Sequence, residues 1–128
     1  MKEVTLPLGI TSVPNPKQIF DESSDLRKRM QEGQLYGEFG QPRKEVLQSE
    51  AEFMRRVAIV DGGKVSHRIT DFKLNEDGTA TCTASVIDTP MGQIAQQLLE
   101  KGVDMKFGLR GFVHEGNISV VTFDLISK

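Results

Sequence analysis

KVSHRITDFKLNEDGTATCTASVI, residues 64 to 87, contains two strand-like runs separated by Asn75-Glu76-Asp77-Gly78. An Asp-Gly pair accepts the positive φ angles of a tight hairpin turn, so the spacing predicts that 64–74 pairs antiparallel with 79–87. In the second run Ala80, Cys82, Ala84 and Val86 alternate with Thr79, Thr81, Thr83 and Ser85. Successive strand side chains point to opposite faces, so one face is apolar and Cys82 is expected in the core. The first run loses this phase between Ile69 and Phe72, which predicts a bulge or burial on both faces there.

Downstream, Thr89-Pro90 supplies an N-cap and a first-turn proline. Met91, Ile94, Ala95, Leu98 and Leu99 then recur at helical spacing up to Gly102, predicting a helix over about 90–101 that buries Met91, Ile94 and Leu98. Asp88 stands just before it, where a carboxylate suits the helix dipole. Met105, Phe107 and Leu109 next alternate with Lys106, Gly108 and Arg110, and a second hairpin is expected near Glu115-Gly116-Asn117, with His114 at the turn. Upstream, the pattern predicts a short helix over Ser23 to Glu32, a strand in LYGEF (35–39) and a helix over 44–57. The first twenty residues carry Pro7, Pro14 and Pro16 and read as a short strand plus an extended arm. The whole is expected to be one α+β domain of 128 residues, with an arm over 1–20 and a core over 21–128.

Sixteen basic and eighteen acidic residues give a formal charge of −2. That balance gives no bulk attraction for nucleic acid or an anionic membrane, and neither is expected as a partner. Apolar runs are four residues or fewer, against the roughly 20 that span a bilayer, and the N-terminus lacks the apolar stretch of a secretion signal. Cys82 is the only cysteine, so neither an internal disulfide nor a cysteine-based metal site is expected, nor any cofactor. A reducing cytoplasm fits that usage.

Three phrases in order, LYGEFGQP (35–42), VSHRITDF (65–72) and IDTPMGQIAQQLLEKGVDMKFGLRG (87–111), resemble the prohead (capsid maturation) serine proteases of tailed phages, the T4-like branch in particular. The resemblance implies a herpesvirus-protease-like fold, a small β-barrel with packed helices. It also implies a serine nucleophile and a histidine base that cut capsid and scaffold proteins during head assembly. In such proteins serines stand just before Arg-Gly in the third phrase, where this chain has Gly108 and Leu109. The first phrase tends to end in Gly-His-Pro, where this chain has Gly40-Gln41-Pro42. His67 is the histidine that remains, and the resemblance places Gly108 beside it.

Acyl transfer needs an attacking oxygen or sulfur within about 3 Å of its base. Ser66 adjoins His67, but alternation along a strand predicts that their side chains diverge. Cys82 falls opposite residues 71 to 73, which puts it about 13 to 20 Å from His67 at about 3.3 Å per residue. Ser119 and Thr122 lie in the last hairpin, away from His67 in the expected register. Arg110 reads as a solvated or salt-bridged strand residue, and the resemblance implies that it lines the cleft. The expectation is therefore not an enzyme but a pseudo-protease, with His67, Gly108 and Arg110 as relics of a cleft and no catalytic, cofactor-binding or metal-binding residue. Such a protein would serve as a decoration, scaffold-associated or minor head component, with a capsid or scaffold protein, and a second copy of itself, as candidate partners. It would lie in the host cytoplasm during assembly and then in the virion. The alternatives are an active capsid maturation endopeptidase with a displaced nucleophile, and a soluble inhibitor of a phage protease or host defence protein.

Overall fold

The computed structural model describes residues 2–10 and 13–127. Its strands are β1 (Glu3–Gly9), β2 (Tyr36–Glu38), β3 (Val65–Leu74), β4 (Ala80–Val86), β5 (Met105–His114) and β6 (Asn117–Ser127). Its α-helices are α1 (Lys17–Phe20), α2 (Asp25–Gln31), α3 (Glu50–Ala58) and α4 (Pro90–Glu100).

The hairpin forms as the turn chemistry requires. Gly78 takes φ +88°, and Asp77 Oδ1 accepts from the Thr79 N–H at 3.0 Å. Phe72 pairs with Cys82 and Ile69 with Ala84, and the register shifts between Ile69 and Asp71, the site of the lost phase. The inner face of the second arm is then Ala80, Cys82, Ala84 and Val86, all buried. The second hairpin closes on Glu115 and Gly116, both at positive φ, with His114 opposite Asn117.

The six strands form one sheet in the order β2-β3-β4-β1-β5-β6. β1 is therefore central, antiparallel to β4 and parallel to β5. The expected short strand of the first twenty residues is β1, inside the sheet; of the residues expected as an extended arm, 17–20 are instead helical. Pro16 stands at the N-cap of α1, where no intrahelical N–H bond is lost, so the prolines there admit a helix start. The sheet curls until its ends meet. A parallel bridge joins Phe39 to Leu125, the Gly40 N–H donates to the Leu125 carbonyl at 2.8 Å, and the Thr122 hydroxyl donates to the Tyr36 carbonyl at 2.6 Å. The result is a mixed sheet nearly closed into a barrel, filled by Ile69, Phe72, Phe107, Phe123 and Leu125.

Two helices depart from the sequence pattern. α3 begins only at Glu50, because the Ser49 hydroxyl accepts from the Glu52 N–H and fixes the start there; residues 46 and 47 form a turn ahead of it. α4 buries Gly92 and Ala95, while Ile94 is 44% exposed and Leu98 only partly buried. A Cβ on Gly92 would lie 1.9 Å from the Ile87 carbonyl oxygen. The helix thus meets the barrel on its smallest residues, which turns Ile94 away from the core.

Candidate functional site

Alternation along β5 sends Met105 and Phe107 into the barrel and puts Gly108 and Arg110 on the opposite face. That face is covered by the excursion from Phe39 to Lys64, and the cover is fastened by charge. Arg110 Nη2 donates to Asp124 Oδ1 at 3.0 Å and to Glu38 Oε2 at 3.1 Å, while its Nη1 donates to the Ile59 carbonyl at 3.2 Å. Arg56, from α3, grips Glu38 with both terminal nitrogens, at 2.5 and 3.0 Å. The Asp61 N–H donates to Glu38 Oε2 at 2.8 Å, and the Glu38 N–H donates to Asp124 Oδ1 at 3.1 Å. Of the two expected forms, solvated or salt-bridged, Arg110 takes the second: it is buried and paired with Glu38 and Asp124, while its Nε has no hydrogen-bond partner among the described residues.

Burial raises the Glu38 carboxyl pKa, but the hydrogen bonds from Arg56 and Asp61 and the charge of Arg110 outweigh it and hold the group below its usual range. Asp124 goes the other way. Burial exceeds the help of Arg110 and pushes it up to about 6, and its Oδ2 is buried without a hydrogen-bond partner among the described residues.

Gly108 and Gln41, two of the three positions where the noted resemblance breaks, meet in space. A Cβ on Gly108 would lie 2.8 Å from Gln41 Nε2 and 2.9 Å from Ile126 Cδ1. The Gln41 amide donates to the Leu109 carbonyl at 3.1 Å and so lies across the strand where a side chain would otherwise stand. Residues 39 to 43 form a wall between two hollows of about 390 Å³ each, one reaching Glu38, Arg56 and Lys64, the other reaching Leu125 and Ile126.

His67 does not lie beside Gly108, and that expectation is corrected. Its ring is buried inside the barrel, edge-on to Phe107 at 5.2 Å, and its Nε2 lies 2.8 Å from the Phe123 carbonyl. Gly37 leaves room for it, since a Cβ there would fall 2.2 Å from Nε2. The divergence expected of Ser66 and His67 is also overturned, because Ser66 Oγ lies 2.8 Å from His67 Nδ1. Nδ1 is the ring nitrogen nearer the main chain and a serine hydroxyl is short, so the two meet beside the backbone. The strand is irregular at this point, its register with β2 shifting between Gly37 and Glu38.

The tautomer follows from the partners. A carbonyl can only accept, so Nε2 carries the proton and Nδ1 presents its lone pair to the Ser66 O–H. Burial pushes the imidazole down to about 4, against a smaller upward pull from the Phe123 carbonyl, which leaves it neutral near pH 7. Both residues are buried. The Ile87 N–H donates to the Ser66 carbonyl, and the hydroxyl of Thr89, the N-cap of α4, donates to the Val65 carbonyl.

Cys82 lies opposite Phe72, as the hairpin spacing implied, and burial pushes its thiol far above the usual range. Ser119 pairs with Phe112 on the second hairpin, and Thr122 is committed to the β2 seam. Asp88 accepts from the Gln93 side chain, while Thr89 caps α4. Glu38 and Asp124 escaped the sequence reading. The available signal was a single carboxylate within the apolar run of β6. Among the described residues no cluster of metal-ligating side chains occurs, and no helix is long and apolar enough to cross a membrane.

The fold is similar to that of the bacteriophage T4 capsid assembly protease gp21, with a TM-score of 0.57 and 18% sequence identity over 90% of this chain and 68% of that one. No curated protein matches the sequence. The Peptidase S80 family model matches residues 12–126. That match overturns the expectation of a non-enzyme, which rested on the absence of serine at Gly108 and Leu109 and on setting aside Ser66, Cys82, Ser119 and Thr122 as nucleophiles. The chain belongs to the Peptidase S80 family.

Proposed function

We propose that this chain is a serine-type endopeptidase of herpesvirus-protease-like architecture that cuts capsid or scaffold polypeptides during phage head assembly, with its nucleophile displaced to Ser66. The observation that carries the assignment is the Ser66–His67 pair: Oγ is 2.8 Å from Nδ1, and the Phe123 carbonyl holds the ring in the tautomer that accepts the hydroxyl proton. In this scheme His67 Nδ1 takes the proton as Ser66 Oγ adds to the scissile carbonyl, then passes it to the leaving amine as the acyl-enzyme forms. Water repeats the sequence to release the acid. The Phe123 carbonyl takes the orienting role that a carboxylate has in the usual triad.

Ser66 has no exposed surface, so attack requires the β4–α4 junction to lift from this end of β3. Such gating keeps the hydroxyl away from cellular protein until a polypeptide is engaged. The channelled surface along residues 39–43 offers that polypeptide a place to bind before the junction opens. The T4 neighbour, a capsid assembly protease by name, supports the capsid context and the host cytoplasm as the place of action.

The test is direct. Purified protein should label with a fluorophosphonate probe and cut the capsid or scaffold protein of its own phage, and Ser66→Ala should abolish both. Cleavage that survives Ser66→Ala removes Ser66 as the nucleophile, and absence of cleavage and labelling in the wild type overturns the proposal. Mass spectrometry of purified mature particles separates a virion protein from one that acts only during assembly.

A further inference from the structure

α3 buries none of its nine residues, although Arg56 and the neighbouring Ile59 and Asp61 backbone fasten its inner side to Glu38 and Arg110. Its outer side carries one apolar stripe flanked by Glu50 and Arg55. Ala51, Met54 and Ala58 are exposed at i, i+3 and i+7, one stripe of the helix, with Met54 at 52%. Just ahead of the cap, Val46 and Leu47 are 97% and 98% exposed. With Ile59, four of the eight large exposed hydrophobics among the described residues fall within residues 46–59, in and beside this one helix.

We infer that this patch is a homodimerisation face, with α3 pairing antiparallel to α3 of a second copy about a two-fold axis between Glu52 and Phe53. The sequence of the helix is self-complementary about that axis. Ala51 falls opposite Met54 of the partner subunit, so a small residue receives a large one. Glu50 falls opposite Arg55 of the partner subunit. An isologous interface requires this arrangement, in which each contact occurs twice.

The charges are available for it. Arg55 makes no ion pair among the described residues, and Glu50 is mostly exposed, engaged only by Lys44 at 3.5 Å. Acidic residues in the first turn and basic ones in the last also make antiparallel pairing favourable for the two helix dipoles. A single nine-residue helix and its leading turn bury less than the roughly 1,200 Å² of a tight complex, so the dimer is weak and forms at high local concentration. Because Arg56 lies on the same helix and holds Glu38, pairing also steadies the cover over Arg110 and one side of the hollow beside it.

Sedimentation equilibrium of the full chain tests this, with circular dichroism to establish that each variant is folded. The wild type should pass from monomer to dimer between about 1 and 500 μM, the range of a weak standard interface. Glu50→Arg and Arg55→Glu should each weaken the dimer at least about fivefold, and the combined variant should recover most of that loss, as a reciprocal charge pair requires. Met54→Asp should leave a monomer throughout. A wild type that stays monomeric over the whole range overturns the inference. So does a folded Met54→Asp that still dimerises, or a charge swap that fails to recover association. These outcomes do not depend on peptidase activity.

Discussion

Arg110→Leu isolates the charge cluster that fastens the cover to the barrel. Glu38 would retain Arg56 and the Asp61 N–H, but among the described residues Asp124 has no other ion-pair partner than Arg110. Removing one member of a buried pair typically costs about 3–5 kcal/mol, because the remaining charge is left without compensation. At about pH 7.5 the loss should therefore be about 3–5 kcal/mol by urea unfolding. Its pH dependence is the sharper test. An acid whose folded pKa is raised binds more protons folded than unfolded, so it contributes relative stability as pH falls through the folded value toward the unfolded one.

In the wild type Asp124 titrates at about 6, so between pH 7.5 and 5 it returns about 1.4 kcal/mol, the worth of one pH unit. Without Arg110 its pKa rises further. If it passes 7.5, the whole interval counts and the return is about 3.4 kcal/mol. The cost of Arg110→Leu should thus shrink by about 2 kcal/mol between pH 7.5 and 5. An equal cost at both pH values, or a loss under about 1 kcal/mol at pH 7.5, would refute the view that Asp124 depends on this arginine.

Three further outcomes follow from the packing. Gly92→Ala should destabilise by about 2 kcal/mol or more, since its Cβ meets the backbone carbonyl of Ile87 and α4 must retreat, whereas Ile94→Ala, on the exposed side of the same helix, should cost under about 0.5 kcal/mol in the same urea titration. His67, held near 4, should show no imidazole titration by NMR above about pH 5. A depressed histidine stabilises fully above its unfolded value near 6.5 and loses that contribution as pH falls toward 4, so His67→Gln should flatten the acid limb of the stability curve. Cys82, buried and with its thiol pKa raised, should stay unmodified by a thiol reagent in native protein and react at once in urea.

The sequence by itself determined the parts of this protein that depend on neighbours along the chain. Asp77-Gly78 can accept the turn, and the Ala80 to Val86 alternation admits one inner face, so the first hairpin and the place of Cys82 were legible. The loss of phase after Ile69 marked the bulge, and Thr89-Pro90 marked the start of α4. The three phrases carried the family resemblance. Contacts between distant segments were not legible, because a period of two or 3.6 residues tells which side chains share a face but not what will face them. Only the folded barrel decided that β1 would lie between β4 and β5, that Gly92 would press against the Ile87 carbonyl and turn Ile94 outward, and that Glu38, Arg56, Arg110 and Asp124 would meet from four elements. Ser66 and His67 are adjacent in sequence, yet alternation argued against their contact. An irregular strand and a ring anchored on the Phe123 carbonyl, fifty-six residues away, brought the hydroxyl and Nδ1 together.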